Sequence, residues 1–117
     1  MLFIGPESRA AAIWALGLIH QKAPPADLVE ELIGRVTDEN VFEPEDENVR
    51  RMSAIALGRM KAPEAVSAVR KYYPRKLSLD PFMNACGWAL QEIAGEPLPR
   101  SGTVDVFQTG WFLEPNP

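Results

Sequence analysis

Small and apolar residues recur along this chain at helical spacing, and the pattern occurs three times. Ala12, Ala15, Leu16 and Ile19 stand at i, i+3, i+4 and i+7. Ser53, Ala56, Leu57 and Met60 repeat the set forty-one positions later, and Cys86, Ala89, Leu90 and Ile93 repeat it thirty-three positions after that. This spacing puts each set on one stripe of an α-helix, whereas a strand would require alternation. The octets themselves match in order of size, from Ala12 to Ile19, Ser53 to Met60 and Cys86 to Ile93. Self-similarity at a period of roughly 30–45 residues is the mark of stacked repeats. The small residues at the first two positions allow a neighbouring helix to come close, and the two larger ones fill the space between repeats. The stripe is therefore predicted to be shared core in all three copies.

Breaks and caps divide the pattern into units. Lys22-Ala23-Pro24 follows the first helix and Lys61-Ala62-Pro63 the second, so the match extends into the turn. Each turn leads into a second helix, predicted over Asp27–Val36 and Glu64–Tyr73, and Pro74 ends the latter because proline lacks the donor to continue it. Asp80-Pro81 starts the third copy with a capping carboxylate and a proline at the first helical position, and Asp46 or Glu47 can start the second. The third unit has a first helix, about Pro81–Ala94, but no second one. The tail with Phe107, Trp111 and Phe112 is predicted to be irregular or extended and to cover the open end of the stack. Trp14 and Trp88 align with Ile55 and are expected to face the second helix of their own unit or, for Trp88, the tail. The apolar start, Met1 to Gly5, is expected to pack against something.

These residues resemble a known family. Arg50-x-x-Ser53-x-x-Ala56-Leu57-Gly58-x-Met60, a proline turn and Ala65-Val66 look like HEAT repeats, in particular the short type first described in phycobilisome lyases. The first unit is similar, with Arg9 aligned on Arg50, whereas the third has Met83 at the arginine position and Gln91 in place of the glycine. The likeness covers about residues 6–95. It implies an all-α fold, an α-solenoid of about two and a half stacked helical hairpins, assigned to residues 1–99; residues 100–117, the capping tail read from its own aromatic residues, match no known pattern. It also implies a structural role for Arg9 and Arg50.

Composition narrows the function. A chain of 117 residues with 46% hydrophobic and 24% charged content is one ordinary globular domain, and its net charge of −4 argues against nucleic acid or anionic lipid as the main partner. Ten apolar residues, Ala10 to Ile19, cannot span a bilayer and recur inside the chain, so they are not read as an export signal. With a single cysteine, Cys86, there is no intramolecular disulfide, and a cytoplasmic location is favoured.

Few residues suggest chemistry. His20 reads as a helix-end residue and Cys86 as a small stripe residue, and no triad or metal set is expected around either. The acidic run from Asp38 to Glu47 lacks the glycine and alternating oxygen ligands of a calcium loop, and reads as a solvated, mobile connection with capping carboxylates. The stretch Arg70-Lys71-Tyr72-Tyr73-Pro74-Arg75-Lys76 mixes cations with aromatics, as single-strand binders do, but its tyrosines also complete the apolar face of their helix.

Repeat stacks rarely do chemistry by themselves. The chain is expected to be a non-enzymatic protein–protein interaction or scaffold module without cofactor or metal, whose partner is another protein or further repeats of the same chain. Glu30, Glu31, Arg35, Ser67, Arg70 and Lys71 are the candidate partner-binding residues, expected to be exposed on the second helices. A nucleic-acid-binding repeat and a non-catalytic subunit of a lyase-like complex are the rival readings. So short a stack is expected to carry more repeats upstream or a partner at its N-terminal face.

Overall fold

Five α-helices and one 3₁₀ turn make up the described part of the chain, residues 5–38, 45–73 and 80–95 of a computed structural model. They are α1 (Pro6–Ile19), α2 (Ala26–Val36), α3 (Glu47–Arg59), the turn Pro63–Ala65, α4 (Val66–Tyr72) and α5 (Pro81–Ala94). Residues 100–117, where the capping tail was expected, and residues 1–4 lie outside the described residues.

Local chemistry sets the helix ends. The Asp46 carboxylate accepts the backbone N–H groups of Asn48 and Val49, and Asp80 does the same for Phe82 and Met83, so α3 and α5 start where the capping residues stand. At the other end of α3, Ala62 N–H bonds the Leu57 carbonyl and Lys61 N–H bonds that of Gly58. This is a Schellman closure, and it forces Lys61 to a φ of 51°. Gly95, at a φ of 73°, ends α5 in the same left-handed region without a side-chain penalty.

α1, α3 and α5 lie side by side as one layer, with α3 in the middle, while α2 packs on α3 and α4 on α5. The three run parallel. Pro6 to Ser8 share a pocket with Asp46 and Asn48 at one end, and Gly17 meets Ala56 toward the other. α3 and α5 repeat this arrangement, with Glu47 and Asn48 beside Asp80 to Phe82 and Gly58 against Ala89. Each contact sets the glycine of one repeat on the alanine of the next. A Cβ on Gly17 would lie 2.9 Å from both the Cα and the Cβ of Ala56, so the helices could not approach this closely with any other residue there. Gln91 holds the glycine's place in α5, and it is exposed.

The stripe is core in the second copy, where Ser53, Ala56, Leu57 and Met60 are all buried, and almost so in the third, where only Ile93 is half-buried. In the first copy the expectation fails. Ala12 is exposed, Ala15 and Leu16 are half-buried, and Ile19 is 71% exposed where its counterpart Met60 is 2% exposed. α1 buries the other side of its helix, Ala10, Ile13 and Gly17. The reason is positional: the stripe is the face that receives the preceding helix, and among the described residues none precedes α1. Trp88 reaches back over α3, its ring edge against Gly58, and the tail that it was expected to face lies outside the described residues.

Candidate partner-docking surface

The second helices are amphipathic in the usual sense: one side seals the core and the other is left to solvent. α2 buries Val29, Leu32 and Val36, and the turn with α4 buries Ala65, Ala68 and Val69. Asp27, Glu30 and Glu31 of α2 remain exposed, as do Glu64, Ser67, Arg70 and Lys71 around α4. The two helices touch, so an acidic helix lies beside one whose last turn is basic.

Five of the six candidate residues are thus exposed. Arg35 is not. Its guanidinium is half-buried, donating from Nη1 to Glu45 Oε2 at 2.6 Å and from Nη2 to Glu31 Oε1 at 3.2 Å. Glu45 takes a second arginine as well, Arg9 Nη2 at 2.7 Å from Oε1, and the same oxygen accepts the Asp46 N–H. Its carboxylate is only 10% exposed. Burial by itself would raise the Glu45 pKa, but the Asp46 N–H and the two guanidinium groups outweigh it and hold the carboxyl below its ordinary range. The acidic connection was expected to be solvated throughout, yet at Glu45 it is an ionic bridge joining the start of α1 to the end of α2. The repetition of Arg9 at Arg50 was the one hint in the sequence that an anchor sits here.

Arg50 shows what the aligned arginine does inside the stack. Its Nε and Nη2 both donate to the Val36 carbonyl, the last of α2, at 3.1 and 2.9 Å. Its guanidinium carbon stands 4.2 Å from the ring centre of Phe82 and 5.1 Å from that of Tyr72. The arginine of one repeat closes the second helix of the repeat before it. Arg9 has no such helix before it among the described residues, and Glu45 takes the helix end's role as acceptor.

Between α1 and α2 lies a groove of about 600 Å³ that the sequence did not disclose. Both helices lean on α3 rather than on each other, which leaves Ala12, Leu16, Leu28 and Leu32 as its apolar lining, with Arg9 and Arg35 beside them.

The remaining candidates have structural places. Tyr72 is half-buried and packs on Phe82 with ring centres 5.3 Å apart, and Tyr73 is buried. Pro74, Arg75 and Lys76 lie outside the described residues. His20 is the C-cap of α1. Cys86 is buried, and burial pushes its thiol up to about 12. Among the described residues no three His, Cys, Asp or Glu side chains group to hold a metal, and no helix is long and apolar enough to cross a membrane.

The family model for HEAT repeats matches residues 5–77. No curated protein and no solved structure matches the chain.

Proposed function

This chain belongs to the HEAT-repeat family, and from that premise we propose that it is a non-catalytic docking module holding another protein against the outer face of α2 and α4. HEAT repeats generally mediate protein–protein interaction or scaffolding. The observation that carries this reading is the side-by-side placement of exposed Glu30 and Glu31 with Ser67, Arg70 and Lys71 on helices anchored in the core. Opposite charges on neighbouring rigid helices favour a partner of complementary pattern and disfavour a uniformly charged one such as nucleic acid. With Tyr73 buried and Tyr72 half-buried against Phe82, the described residues of this face offer no open aromatic platform of the kind that single strands require.

The test uses a photo-crosslinking residue at Ser67 in the native setting to identify the partner, followed by binding kinetics with the purified pair. Arg70→Glu with Lys71→Glu should slow association and make it less salt-sensitive while leaving melting unchanged, because rim charges act mainly on the on-rate. Micromolar, salt-sensitive binding to a random oligonucleotide at near-physiological ionic strength would instead establish the nucleic-acid reading.

A further inference from the structure

We draw no further inference here: the strongest candidate, the groove between α1 and α2 with the exposed Ile19 beside it, is an apolar face for which nothing in the structure shows what covers it.

Discussion

Gly58 of α3 and Ala89 of α5 meet backbone to backbone: a Cβ on Gly58 would stand 3.0 Å from the Ala89 Cα and 2.8 Å from Cζ3 of Trp88. Helix propensity favours alanine over glycine by about 1 kcal/mol, but this contact reverses the sign. Gly58→Ala should destabilise the protein by about 1–3 kcal/mol, the usual cost of overpacking. Gly34 of α2 is the control, because a Cβ there meets nothing within 4 Å. Gly34→Ala should stabilise by about 0.5–1 kcal/mol in urea denaturation.

The aligned leucines should behave unequally. Leu57 is wholly buried in the core, whereas Leu16 is half-buried at the groove. Leu57→Ala should cost about 2–5 kcal/mol and Leu16→Ala about 1 or less. Equal losses would mean that the first stripe is as well covered as the second.

Lys61 holds a left-handed conformation at a φ of 51° on an exposed corner. A side chain there costs about 1–2 kcal/mol, and glycine's extra entropy in the unfolded chain takes back part of the relief. Lys61→Gly should raise stability by about 0.5–1 kcal/mol, read as a higher urea midpoint at unchanged slope.

Glu45 should make stability depend on acid. Its pKa is lowered in the folded protein, so its contribution is fully present above the ordinary glutamate value of about 4.3 and is lost as pH falls below it. Glu45→Gln should cost about 1–2 kcal/mol at neutral pH. The gap between variant and parent should close as pH falls below the ordinary glutamate value of about 4.3 and through the lowered folded-state value. A gap independent of pH would show that the arginines do not rely on its charge.

Cys86 should be inert to thiol reagents in the native state at pH 8, since its thiol titrates only at about 12 and its side chain is buried. Labelling should follow global unfolding. Because an unfolded cysteine ionises near pH 8.5, the buried thiol should also lower stability as pH rises from there toward 12.

Much of the architecture was determined by the sequence by itself. Period and caps are local properties, and Asp46, Asp80 and Pro81 start their helices where the chain places them, because a carboxylate two residues ahead can reach the first free N–H groups in any context. The threefold stripe identified the faces that would meet, and the matching arginines identified an anchor. Which copies of the stripe are covered was a matter of tertiary order. Ala12-x-x-Ala15-Leu16 and Ser53-x-x-Ala56-Leu57 read alike, yet among the described residues only the second has a helix in front of it, and burial depends on a neighbour that the sequence of the stripe does not contain. The same holds for Glu45. Alone in an acidic run it looks solvated, and it becomes a partly buried bridge only because the fold brings Arg9 and Arg35, thirty-six and ten residues away, to its two oxygens. The groove between α1 and α2 exists for a like reason: each helix packs better on α3 than on the other, a competition among surfaces that can be settled only once all three are in place.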